Sequence, residues 1–152
     1  MKPGADSFAR WISIIHRCGH AFFNQQMAAD GISSGHISFI HHLAKNPGLS
    51  QDKFSELTTL DKTTVARAVK KLVELGYVSR ETDPTDRRCH RLYLTPACQD
   101  LMPQIKRVIG EWNRIISQNL SQEEKARLAQ GLEQMSQNAL ACKDALTDKT
   151  KL

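Results

Sequence analysis

Lys62, Thr63, Thr64, Arg67, Lys70 and Lys71 are what a short helix leaves exposed once Val65, Val69, Leu72 and Val73 are turned inward. Hydroxyls and a guanidinium at the N-terminal end of such a helix suit base edges in a DNA major groove. Thr63, Thr64 and Arg67 are therefore expected at bases, with Arg67 able to bond a guanine through two N–H groups. Lys62, Lys70 and Lys71 are expected at phosphates. Ser50 and Gln51 open the preceding helix, whose free N–H groups and partial positive charge suit another phosphate. In Asp86-Arg87-Arg88-Cys89-His90-Arg91 the basic residues crowd a turn, where Arg87, Arg88 or Arg91 can enter a narrow minor groove of negative potential. Asp86 can orient one of them. The plainer alternatives are a solvated helix face and a surface ion pair of small energetic weight.

The elements that must position these groups are marked by their caps. Ser50 can cap a first short helix, with Leu49 and Phe54 as a hydrophobic staple, and Asp61 a second, with Leu60 and Val65 in the same relation. Thr58 to Leu60 form the turn between them, and Gly76 suits a left-handed C-terminal cap. Tyr77–Arg80 and Arg91–Leu94 then alternate like strands around the polar turn from Asp83 to Arg88, which predicts a β-hairpin.

Outside this region the period is helical. Phe8, Trp11, Ile12, Ile15, Phe22 and Phe23, widened by Ile14, Cys18 and Ala21, predict a first helix to about Ala28 with two buried sides. A second, capped by Ser33 or Ser34, carries Ile37, Ile40 and Leu43 and stops at Asn46-Pro47-Gly48. Thr95-Pro96 opens a long helix with Leu101, Ile105, Val108, Ile109, Trp112, Ile115 and Ile116, in which Pro103 is expected to kink the first turns. Ser121-Gln122-Glu123-Glu124 is a capping box opening the last helix, with Leu128, Leu132, Met135, Ala139 and Cys142 on one face. The predicted class is mainly α (α+β), a winged helix-turn-helix at 33–95 with long N- and C-terminal dimerisation helices at 1–30 and 96–145 and a frayed tail at 146–152. The terminal helices carry more apolar surface than so small a domain can cover, which predicts a homodimer.

Composition bounds the partners. With 152 residues and a formal charge of +5 the chain favours an acidic partner, yet Ser50 to Thr95 holds nine Lys/Arg against seven Asp/Glu, so arrangement must carry the reading. Four cysteines without a Cys-x-x-Cys pair suggest reduced thiols in the cytoplasm and neither zinc knuckle nor disulfide frame. No export signal or membrane span is expected. Phosphate loop, G-x-S-x-G elbow and H-E-x-x-H are all missing, which argues against an enzyme. No cofactor is expected. A winged-helix module that binds protein is the rival reading, since the lobe's charge is nearly balanced.

The run Leu60-Asp61-Lys62-Thr63-Thr64-Val65, then Leu72-Val73-Glu74-Leu75-Gly76-Tyr77-Val78, Asp83-Pro84-Thr85-Asp86-Arg87-Arg88 and Leu92-Tyr93-Leu94-Thr95 resembles the MarR family of transcriptional regulators. The family's wing pattern D-x-R-x-x-R falls on Asp86, Arg88 and Arg91. The resemblance, extending from about Phe8 to Cys142, implies a homodimer on a roughly palindromic double-stranded operator, repressing until an effector releases it.

It also implies a cleft for small aromatic acids or phenols between dimerisation helices and DNA-binding lobe. Candidates are Trp11, His16, Arg17 and His20 on the first helix and His36, Phe39, His41 and His42 on the second, where an arginine could hold a carboxylate; core packing is the competing role for Trp11 and Phe39. His16 and His20, four apart, have a metal-chelating spacing, but no matching His/Glu cluster follows on the fifth helix, so no metal is expected. One branch of the family senses peroxide through a first-helix cysteine. Cys18 stands there with His16, Arg17 and His20 available to lower its pKa, but without neighbouring tyrosines. Cys89, in the wing, is the second redox candidate.

Overall fold

The computed structural model describes residues 8–58, 60–86 and 89–149, with the backbone alone at 144 and 146–149. Helix α1 (Phe8–Gln26) passes through a 3-10 turn (Ala28–Asp30) into α2 (Ser34–Lys45). A two-residue strand β1 (Leu49–Ser50) leads to α3 (Gln51–Leu57) and α4 (Lys62–Glu74). Strands β2 (Val78–Thr82) and β3 (His90–Leu94) follow, then α5 (Pro96–Ile116) and α6 (Gln122–Lys149). The three strands form an antiparallel sheet in the order β1-β3-β2. This is the expected winged helix-turn-helix, mainly helical with one small sheet.

Two compact units divide the chain, Met1–Trp112 and Asn113–Leu152. The first holds the hydrophobic core. Ile37, Phe39, Ile40 and Leu43 of α2 meet Phe54 of α3, Val65, Val69 and Leu72 of α4, Leu92 of β3, and Cys98, Leu101, Ile105 and Val108 of α5. Phe39 and Phe54 stack with ring centroids 4.1 Å apart. Burial of such side chains is the main favourable term in folding, on the order of 1.5–3 kcal/mol each.

The ends of the helices are set locally. The Ser33 N–H donates to His36 Nδ1 at 3.1 Å, starting α2. Gly76, at φ +76°, closes α4, and Tyr77 N–H donates back to Leu72 O at 2.9 Å. Thr95 Oγ1 then donates to Gly76 O at 2.6 Å and accepts from Cys98 N at 3.3 Å. One hydroxyl thus joins the end of α4 to the start of α5. Pro103 lies inside α5, which continues through it to Ile116.

Several expectations are corrected. β1 was absent from the sequence reading because two residues are too short to show a period; Leu49 pairs with Leu92 and Ser50 with Arg91. Gly48 makes that approach possible, since at φ +82° a Cβ there would lie 3.0 Å from the Tyr93 hydroxyl. α1 has only Gly19 buried, while Phe8, Trp11, Ile12 and Ile15 are exposed, so the second apolar side is uncovered within one chain. Val73 also reaches solvent. In the second unit the capping box forms as expected, Ser121 N–H to Glu124 Oε2 at 2.8 Å and Glu124 N–H to Ser121 Oγ at 3.2 Å. α6 then runs to Lys149, and residues 150–152 of the expected tail lie outside the described residues.

Candidate nucleic-acid interface

The helix-turn-helix is assembled from its caps inward. Ser50 Oγ accepts from Lys53 N at 3.2 Å. Asp61 accepts from Thr64 N at 2.9 Å and from Thr64 Oγ1 at 2.7 Å, and these bonds hold its carboxyl below the usual range. Ser55 Oγ donates across the turn to Leu60 O at 3.0 Å. With Val65, Val69 and Leu72 buried, α4 presents Lys62, Thr63, Arg67, Lys70 and Lys71 to solvent.

Two of the expected contacts have partners inside the protein. Thr64 is half-buried with its hydroxyl spent on Asp61, which makes it part of the cap. Lys62 Nζ sits 2.8 Å from Asp52 Oδ1, and that carboxylate raises the ammonium's pKa. The pair is well exposed, so it contributes little to stability, but it holds the N-terminal turns of α3 and α4 in register. Ser50 and Gln51 are half-buried. Ser50 faces Arg91 across the sheet, so the start of α3 and the wing strand share one edge.

The wing is organised by Asp83, which the sequence reading passed over. Its Oδ1 accepts from Thr85 N at 2.8 Å and from Thr85 Oγ1 at 2.6 Å, and Oδ2 accepts from Arg91 Nε at 2.7 Å. Thr85 and then Arg91 hold this carboxyl well below the usual carboxylate range. The signal was present as Asp-Pro-Thr, a sequence whose carboxylate bonds its own backbone two residues on. Arg91, expected at DNA, is thus tied to Asp83 across the hairpin while its side chain stays partly exposed. Asp86 takes Cys89 N on its carbonyl at 2.9 Å and the Cys89 thiol on Oδ2 at 3.5 Å. Arg87 and Arg88 lie outside the described residues.

The effector candidates separate. His16 and His20 line a groove of about 240 Å³ together with Ile15, Gly19, Phe23, Ser34 and Trp112. Trp112 packs on Phe22 and Phe23, and a Cβ on Gly19 would come 3.3 Å from its ring. The other candidates are not among its lining residues. Phe39 is core, His36 caps α2, and its pKa is lowered by burial and by Lys71. His41 is exposed, its pKa lowered by partial burial, Lys45 and His42, while His42 meets the Phe54 ring edge-on. Trp11 is exposed under Arg10, and Arg17 is exposed as well. Gly19, Phe23, Ser34 and Trp112 went unassigned because the groove joins α1 to α5 across many residues of sequence.

Among the cysteines, Cys18 and Cys142 are exposed and Cys98 is buried. Burial pushes the Cys98 thiol up to about 11. Asp86 raises the Cys89 thiol, which disfavours the reactive thiolate. Among the described residues, no group of three or more His, Cys, Asp or Glu could hold a metal, and no helix is long and apolar enough to cross a membrane.

Comparison with known proteins agrees with this architecture. A model described as MarR family matches residues 30–88. A MarR transcriptional regulator of Methanosarcina mazei Go1 has a crystal structure similar to this chain, with a TM-score of 0.84 and 32% identity, covering 90% of this chain and 98% of that one. The HTH-type transcriptional regulator BilQ of Clostridium symbiosum is 28% identical over 122 residues, 80% of this chain and 85% of its own length. A Thauera aromatica protein named for transcriptional regulation of the hcr operon is 30% identical over 99 residues, 65% of this chain; the match spans 60% of that relative's length. In fold, in the matched helix-turn-helix and wing, and in identity over nearly the whole of a solved relative, this chain belongs to the MarR family of transcriptional regulators.

Proposed function

We propose that this regulator acts in the cytoplasm as a homodimer that reads a roughly palindromic operator, represses transcription there, and is released by a small aromatic acid or phenol. The observation that carries DNA reading is the exposed face of α4, where Thr63, Arg67, Lys70 and Lys71 stand clear of the core beside a hairpin braced by Asp83 and Arg91. Thr63 and Arg67 read bases. Lys70 and Lys71 meet phosphates, Lys62 does so by exchanging Asp52 for a phosphate, and Ser50 and Gln51 offer the start of α3. Arg87 and Arg88 belong to the minor groove, with Asp86 as their neighbour. In this reading residues 33–95 are the DNA-binding lobe and 1–30 with 96–145 make the dimer, in which the uncovered Phe8, Trp11, Ile12 and Ile15 of α1 and Leu128, Leu132 and Leu140 of α6 find partners. Two-fold symmetry sets the recognition helices one DNA turn apart, about 34 Å. The groove beside Trp112 is the effector site, its aromatic walls suited to a planar ring and its histidines to an acidic group. No catalytic step is assigned.

Selection of preferred duplexes from a random pool, followed by footprinting, tests the reading. We expect a two-fold motif protected over about two turns and released by salicylate-like acids. Failure to enrich any motif, with binding to a protein partner instead, would favour the protein-interaction module. Release by peroxide and not by aromatic acids would move the sensor to Cys18.

A further inference from the structure

His16 and His20 meet through their outer ring nitrogens, Nε2 to Nε2 at 3.1 Å, with ring centroids 4.3 Å apart. His20 Nδ1 lies 2.7 Å from Ser34 Oγ, the first residue of α2. If that Nδ1 carries the proton and donates it to Ser34, His20 Nε2 is bare and accepts from His16 Nε2. A hydrogen-bonded imidazole whose far nitrogen is bare is the arrangement that outer-shell partners impose on metal-binding histidines.

The spacing has a second property. A cation bound about 2.0–2.1 Å from each nitrogen and bridging this gap would subtend an N–M–N angle of roughly 100°, between the square and tetrahedral values. To chelate, His16 would move its proton from Nε2 to Nδ1, and the two rings would turn about their side-chain bonds until both bare nitrogens face the cation. We propose that His16 and His20 form a bidentate site for a late first-row divalent cation, Cu²⁺, Ni²⁺ or Zn²⁺, with Ser34 as the residue that orients His20. Imidazole nitrogen selects these ions over Mg²⁺ and Ca²⁺, which require oxygen donors. With no group of three His, Cys, Asp or Glu among the described residues, the remaining positions fall to water or to a ligand in the groove that both histidines line. The site is distinct from a closed structural centre, which needs four protein ligands.

Titration of the full chain with Ni²⁺, followed by NMR of the histidine imidazoles, tests this directly. His16 and His20 signals should broaden together below one equivalent, ahead of those of His36, His41, His42 and His90. Zn²⁺ should shift the same two rings, whereas Mg²⁺ should leave them unmoved. His20→Gln should weaken binding at least about tenfold, and Ser34→Ala, which keeps both ligands, by about tenfold. If His20→Gln fails to fold by circular dichroism, Ser34→Ala decides with the same readout. Broadening that begins at another histidine, or affinity unchanged in Ser34→Ala and His20→Gln, would overturn the site.

Discussion

Asp83 shows how a single carboxylate can shape the wing hairpin. It ties Thr85 and Arg91 together, and its depressed pKa gives a pH test. A carboxyl whose folded pKa lies below its unfolded value, about 3.9, stabilises the fold above that value and loses this contribution as pH falls towards the folded pKa. Protection of the wing amides, taken relative to their intrinsic exchange rates, should therefore fall as pH drops below about 4, and Asp83→Asn should remove this dependence while weakening operator binding at neutral pH. Unchanged wing exchange in Asp83→Asn would show that Arg91 is held by something else. Thr64 carries a similar lesson. Its place on α4 marked it as a base contact, yet its hydroxyl is turned to Asp61, and side-chain direction of that kind cannot be read from face assignment. Thr63 and Arg67, one position earlier and one turn later, kept the exposure expected of them.

At the scale of elements, what the sequence made legible was whatever local chemistry writes. Ser50, Asp61, Thr95 and Ser121 cap their helices as their types predict, and Gly76 takes the left-handed conformation. β1 and the groove were not legible, because each is made by distant segments. Gly48 and Gly76 separate these two kinds of cause. Both have positive φ, but at Gly76 a Cβ meets nothing within 4 Å, whereas at Gly48 it meets the Tyr93 hydroxyl at 3.0 Å. Gly76→Ala should cost about 1–2 kcal/mol from backbone conformation alone. Gly48→Ala should cost more and also loosen the pairing of β1 with β3, measured as lost protection of the Gly48 N–H that bonds Leu92 O at 2.9 Å. Equal costs for the two would show that Tyr93 simply moves aside. In the core, Phe54→Ala should lose about 3–5 kcal/mol in denaturant unfolding, since Phe54 is fully buried against Phe39.

For the whole molecule the uncovered apolar residues decide. Trp11 and Ile12 are 46% and 44% exposed on α1, a helix whose sequence led us to expect two buried sides. The proposed dimer would cover the side of α1 that the sequence marks as buried and a single chain leaves bare. Ile12→Glu should shift sedimentation from dimer to monomer and reduce operator affinity with it, while the isolated chain keeps its helical circular dichroism. A dimer that persists in Ile12→Glu would place the interface elsewhere. The net charge, by contrast, had no such power: the chain is basic but residues 50–95 are nearly neutral, so the proposed DNA reading rests on where the cations stand.

The measurement closest to the central claim, that α4 reads base sequence, is the affinity of Arg67→Ala for selected operator and for random duplex at one salt concentration. Loss of a guanine contact should cost about 1–3 kcal/mol on the operator and leave random DNA nearly unchanged. An equal loss on both would reduce Arg67 to a phosphate contact and contradict base reading by this helix.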